Sequence, residues 1–163
     1  MYILLNMNTP SREHARLDAD DLKRLAQACV CYNTRKVARA VTRLYDDALR
    51  PCGLRATQLT LLMVIESMGE PTISALAGQL VMDRTTLARD LRPMEASGWV
   101  AVVPGRDRRT RIVRLTTAGR DALGEALPLW REAQVALIDS GLGVGEWSRL
   151  RTELERLVDL TQR

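Results

Sequence analysis

Apolar residues recur at steps of three and four from Asp20 to Leu49, at Leu22, Leu25, Cys29, Val37, Val41, Leu44 and Ala48, so they share one stripe of a helix. This spacing predicts a single long helix over 20–50. Asp18, Asp20 and Asp21 supply an acidic first turn that suits the positive end of the helix dipole, and Pro51-Cys52-Gly53 stops it. Residues 1–18 are polar and without period, with Asn8-Thr9-Pro10-Ser11 as a breaker cluster, and read as a flexible arm.

A second helix is predicted from Thr57 to Met68, with Leu59, Leu62, Met63 and Ile65 inward and Gly69-Glu70-Pro71 closing it. A short third helix begins at Thr72, whose hydroxyl can cap the free amides of the first turn, and carries Ile73, Leu76, Ala77 and Leu80. Only Val81 and Met82 separate it from a fourth. That helix opens with Asp83 as its cap and runs through Leu87 and Leu91 toward Met94, ending before Gly98. The period then changes to two short β-prone runs, Trp99–Val103 and Arg111–Leu115, joined by a Pro-Gly turn and an arginine-rich tip, which form a hairpin. Thr116 or Thr117 caps a helix reaching Ile138. Gly141-Leu142-Gly143 breaks it, and a last helix from Glu146 to Leu160 spaces Trp147, Leu150, Leu154 and Leu157 for packing. The chain is expected to be mainly α with a small β-hairpin, one domain over 19–163.

Composition agrees with helix-on-helix packing: 46% of residues are hydrophobic, Phe is absent, and aromatic residues make up only 4%. No apolar run approaches the length a membrane span requires, and Tyr2-Ile3-Leu4-Leu5 lacks the flanks of a signal peptide or anchor. Three cysteines, an odd number, point to reduced thiols and a cytoplasmic protein. The charge is placed unevenly. Between Asp83 and Arg114 eight arginines face four acids, an excess equal to the net charge of +4, so the rest of the chain is neutral. A segment that alone carries the net charge is expected to meet a polyanion.

The third and fourth helices form a helix-turn-helix whose second helix projects. Its outward face carries Arg84, Thr85, Thr86 and Arg89, side chains suited to guanine edges, thymine methyls and phosphates, with Arg92 further along and Ser74 on the preceding helix. Pro93 cannot donate to the carbonyl of Arg89 and is expected to kink this helix, which confines base contacts to residues before it. The hairpin tip Arg106-Asp107-Arg108-Arg109-Thr110-Arg111 gathers like charges that repel one another unless something negative neutralises them, as a minor groove or phosphate backbone would. Asp107 is expected to orient a neighbouring guanidinium. No enzyme is expected: the single histidine, His14, sits in the arm and the ten glycines form no phosphate-binding loop. Cys29, Cys31, Cys52 and His14 lack the paired spacing of a zinc site, so neither metal nor cofactor is expected.

The run Asp83-Arg84-Thr85-Thr86-Leu87-Ala88-Arg89-Asp90-Leu91, the link Glu95-Ala96-Ser97-Gly98-Trp99-Val100, the wing Asp107-Arg108-Arg109-Thr110-Arg111 and the segment Leu115-Thr116-Thr117-Ala118-Gly119 resemble the MarR (multiple antibiotic resistance regulator) family. The motifs cover 83–119 and the helix order fits over 20–160. The resemblance implies a winged helix-turn-helix whose DNA-binding lobe spans 56–115 and whose N- and C-terminal helices, 20–50 and 117–160, form a homodimer. It implies recognition-helix contacts by Thr85, Thr86 and Arg89 and a wing contact by Arg108 or Arg109. It also implies repression at a pseudopalindrome, relieved by a small ligand or oxidant. Tyr32 and Arg39, with Arg35, Arg43 and Tyr45, would then border a site for an aromatic or carboxylate-bearing effector; the alternative is an exposed charged face. Cys29, on the apolar stripe, is expected to be a small core residue. Cys31 lies one turn from Arg35, and two residues apart on one helix the two thiols diverge. A thiol-based redox sensor and a winged-helix protein-interaction module stand as the alternative functions.

Overall fold

The computed structural model describes residues 18–107 and 109–162. The arm expected over 1–18 therefore lies outside the described residues except for Asp18, and Arg108 of the wing lies outside them too. The described residues fall into two units, 18–39 and 40–162.

The expected long helix is two. Helix α1 spans Ala19–Ala28, with the Asp18 carboxylate accepting the Asp21 N–H at 2.7 Å as its cap. Helix α2 spans Val30–Leu49. Cys29 between them is extended, with φ −74° and ψ 117°. Local side chains hold the break. The Asn33 amide donates to the carbonyls of Gln27 and Cys29, both at 2.9 Å, and the Cys29 thiol sulfur accepts the Tyr32 N–H at 3.4 Å, as an N-cap would. Cys29 is also exposed, not the core residue that the stripe predicted. Leu22 and Leu25 on α1 are exposed as well.

The second unit is built around α3, Ala56–Met68, which buries Leu59, Leu61, Leu62 and Ile65. These residues spread over more than one stripe because α3 is covered on several sides; Leu61 escaped the periodicity for that reason. Around it close Leu49, Leu76 and Ala77 of α4 (Ile73–Gln79), and Leu87, Leu91 and Met94 of α5 (Arg84–Ala96). Val113 and Leu115 of the hairpin complete this core. Each fully buried leucine contributes about 1.5–3 kcal/mol of hydrophobic stabilisation. Asp46 fixes the entry to α3 by accepting the Ala56 N–H at 2.7 Å.

Helix α5 continues through Pro93 to Ala96. Gly98, at φ +74°, ends it: its N–H reaches the Glu95 carbonyl at 2.9 Å and the Trp99 N–H reaches the Met94 carbonyl at 2.9 Å. Strands β1 (Val100–Pro104) and β2 (Arg111–Leu115) pair antiparallel, from Val100 opposite Leu115 to Pro104 opposite Arg111. On its other side β2 meets the segment entering α4, through the Val113 N–H on the Pro71 carbonyl at 2.9 Å and a bridge between Thr72 and Ile112. The hairpin is thereby tied to the helix-turn-helix.

Helix α6, Thr117–Leu137, starts under the Thr116 cap, whose hydroxyl oxygen accepts the Gly119 N–H at 3.0 Å. A π-helical turn over Ile138–Leu142 and Gly143 at φ +73° lead into α7, Val144–Thr161. None of the residues of α7 is buried, and Leu150, Leu154 and Val158 each stand at least 40% exposed. Among the described residues no helix is long and apolar enough to cross a membrane.

Candidate nucleic-acid interface

The amino end of α5 is fastened by one side chain. Asp83 accepts the Thr86 N–H on Oδ1 at 2.8 Å and the Thr86 hydroxyl on Oδ2 at 2.5 Å. These bonds, the hydroxyl first and the amide next, hold the Asp83 carboxyl below its ordinary value of 3.8. Leu87, Leu91 and Met94 face the core, so the opposite face of α5 turns outward with Thr85, Arg89 and Arg92 exposed; Thr86 is half-buried, and Arg84 is exposed in the first turn on the side of Leu87. Ser74 on α4 is exposed too.

The turn that sets α5 against α4 carries a backbone cost. Val81 sits at φ +54°, while its N–H meets the Gly78 carbonyl at 3.2 Å and the Met82 N–H meets the Ala77 carbonyl at 2.9 Å. This helix-ending geometry normally employs glycine; a β-branched residue in the left-handed region is strained by about 1–2 kcal/mol. No signal in the sequence marks Val81, because valine is among the residues least suited to that conformation.

In the wing the Gly105 N–H bonds the Thr110 carbonyl at 3.0 Å, and the Thr110 N–H bonds the Asp107 carbonyl at 2.8 Å. The Asp107 carboxylate accepts the Arg109 N–H at 2.9 Å. Asp107 thus shapes the tip through the main chain, as a turn aspartate does when it accepts the amide two positions on; its neighbour Arg108 lies outside the described residues.

The arginines divide by their partners. Arg114 lies 3.6 Å from Glu70 and Arg120 lies 3.0 Å from Glu66, on the scaffold. Arg89 has a loose neighbour in Asp90 at 3.9 Å. Arg84, Arg92, Arg106, Arg109 and Arg111 make no ion pair among the described residues. The second unit therefore holds exposed, uncompensated guanidinium groups on the outward face of α5 and on the hairpin. The chemistry of this set is the binding of phosphate and of guanine edges.

Cys29, Cys31, Tyr32 and Arg39 all lie in the first unit, and all four are exposed. With Cys29 outside a helix, the divergence of two thiols along a single helix does not apply. Among the described residues no cluster of His, Cys, Asp and Glu is placed to hold a metal ion; His14 lies outside them.

The family model of MarR matches residues 54–110, from the start of the core to the tip of the wing. The M. tuberculosis transcriptional regulator MosR, solved in complex with DNA, is 42% identical, with 82% of this chain and 96% of that one covered and a TM-score of 0.75. Wild-type MarR of E. coli in its apo form is 25% identical, with 79% of this chain and 96% of that one covered and a TM-score of 0.63. YwoH of Bacillus subtilis (strain 168), an uncharacterized HTH-type transcriptional regulator, is 29% identical over 79 residues, and the match spans only 58% of its length. The fold agrees with the two solved relatives, and the chain belongs to the MarR family of transcriptional regulators.

Proposed function

We propose that this chain is a sequence-specific DNA-binding repressor, not an enzyme, that works in the cytoplasm as a homodimer on a pseudopalindromic operator. The observation that carries this reading is the set of arginines without ion-pair partners among the described residues, Arg84, Arg92, Arg106, Arg109 and Arg111, beside Thr85 and Arg89 on one projecting helix and its wing. Guanidinium groups kept in water without a counter-charge suit a duplex, where each phosphate neutralised releases a counterion. The relative solved with DNA supports the same reading.

A dimer is supported by the exposed apolar side chains Leu150, Leu154 and Val158 of α7, which a second copy would cover. Two α5 helices would then enter successive major grooves about 34 Å apart. A ligand that altered their spacing would cost contacts at both half-sites, and each 1.4 kcal/mol lost is about tenfold in occupancy. Tyr32 and Arg39 would favour a small aromatic or carboxylate-bearing effector.

Selection of bound duplexes from a random pool tests this reading. It predicts a two-fold symmetric consensus and, at the same protein concentrations, a dimer by light scattering. A protein that recovers no consensus yet binds acidic peptides is an interaction module instead.

A thiol-based sensor is a second reading, favoured by the exposure of Cys29 and Cys31 at a break between helices. Its test is peroxide-induced release of the selected duplex. Release that survives in Cys31→Ser excludes a role for that thiol.

A further inference from the structure

Thr85 and Thr86 are neighbours of one residue type at the amino end of α5, and the sequence gives no reason to tell them apart. The structure separates them. The Thr86 hydroxyl donates to Asp83 Oδ2 at 2.5 Å while the Thr86 amide donates to Oδ1 at 2.8 Å, so both carboxylate oxygens are engaged by one residue. Thr85 is exposed and its hydroxyl has no partner among the described residues.

A threonine can offer a groove its hydroxyl, to phosphates and base edges, or its methyl, to the C5-methyl of thymine. For Thr86 the hydroxyl proton is committed, so this group cannot donate to a phosphate or to a base acceptor. Its acceptor is an ionised carboxylate, the stronger kind of hydrogen-bond partner. Turning the hydroxyl outward would leave that carboxylate one donor short beside a polyanion. The depressed pKa of Asp83 agrees, because it shows the charged form to be the one these bonds favour.

We infer that Thr86 is a specificity-determining residue that reads a thymine methyl by apolar contact, while Thr85 supplies the hydroxyl of the pair. The inference rests on α5 being the helix that enters the major groove. It also gives Asp83 a second role, since besides capping α5 it selects which end of Thr86 is left for the DNA.

The test uses the palindromic duplex recovered by selection with the native protein and a series in which each symmetric pair of thymines is replaced by deoxyuridine, which deletes only the methyl. Native protein should show one pair at which the replacement weakens binding by about fourfold per methyl, the factor that one buried methyl carries. Thr86→Val, which keeps a branched apolar side chain, should retain that discrimination. Thr86→Ser, which keeps the hydroxyl, should bind the two duplexes equally, whereas Thr85→Ser should discriminate as the native protein does. Absence of any sensitive thymine, or discrimination that persists in Thr86→Ser or vanishes in Thr86→Val, overturns the inference while leaving DNA binding intact. A native protein that selects no sequence and binds no duplex at low salt overturns the functional reading itself, and this inference with it.

Discussion

Replacing Gly119 with alanine should destabilise the protein, although a glycine-to-alanine change inside a helix ordinarily stabilises by about 0.5–1 kcal/mol. Gly119 lies in the first turn of α6, and a Cβ there would stand 2.0 Å from the Trp99 carbonyl oxygen, 2.9 Å from its carbon and 3.2 Å from the Trp99 Cα. All three atoms are main chain, so no side chain can rotate aside. Relief requires α6 and the start of β1 to part. That motion breaks the bonds joining them: the Thr116 N–H to the Trp99 carbonyl at 3.0 Å, and the Thr116 hydroxyl to the carbonyls of Gly98 at 2.5 Å and Trp99 at 3.2 Å. Overpacking costs about 1–3 kcal/mol and each of the three hydrogen bonds about 0.5–1.5, less the alanine gain of about 0.5–1, so a net loss of about 2–6 kcal/mol is expected. For a chain of this size that is a fall in Tm of roughly 10 °C. Gly124 lies in the same helix with nothing within 4 Å of its hypothetical Cβ, so Gly124→Ala supplies the opposite sign, a gain of about 0.5–1 kcal/mol. Thermal and urea unfolding at matched protein concentration would measure both, since dimerisation makes Tm concentration-dependent. If Gly119→Ala proved neutral or stabilising, the close approach of α6 to Trp99 would be refuted.

Two further changes probe the helix-turn-helix directly. Val81→Gly removes the strain of a β-branched residue at φ +54° and adds the unfolded-state freedom of glycine; the net expectation is a stabilisation of about 0.5–1 kcal/mol, read as a higher urea midpoint. A lower midpoint would show that Val81 packs better than its exposure suggests. Asp83 contributes stability that is fully present above its ordinary value of 3.8 and is lost as the pH falls through its lower folded value, because its acidity is raised on folding. Asp83→Asn keeps a capping oxygen but does not titrate, so the stability difference between native and variant should shrink between about pH 7 and pH 3. An unchanged difference would uncouple the cap from the charge.

Much of the winged helix-turn-helix was legible because its signals are local. Thr72, Asp83 and Thr116 each announce a helix start with a side-chain oxygen, and each caps as expected. The change of period after Gly98 marked the hairpin, with β1 displaced by one residue from the run that predicted it. The break at Cys29 was illegible for a physical reason. No proline or glycine signals it, the apolar spacing carries on across it, and the Asn33 amide that holds it open reaches back four and six residues. Of the site, residue types and placement on α5 and the wing could be read, but partnership could not. Only the fold separates Arg114, beside Glu70, from the arginines of the same segment that make no ion pair among the described residues.

The central claim is that the exposed arginines of α5 and the wing, Arg89 and Arg109 among them, are neutralised by a duplex. Titrating the selected duplex at several salt concentrations, with native protein and with Arg89→Ala/Arg109→Ala, measures it most directly. A steep fall of affinity with salt is predicted, with the slope reduced by about one for each phosphate contact the double variant loses. Equal affinity and equal slope for native and variant would contradict it.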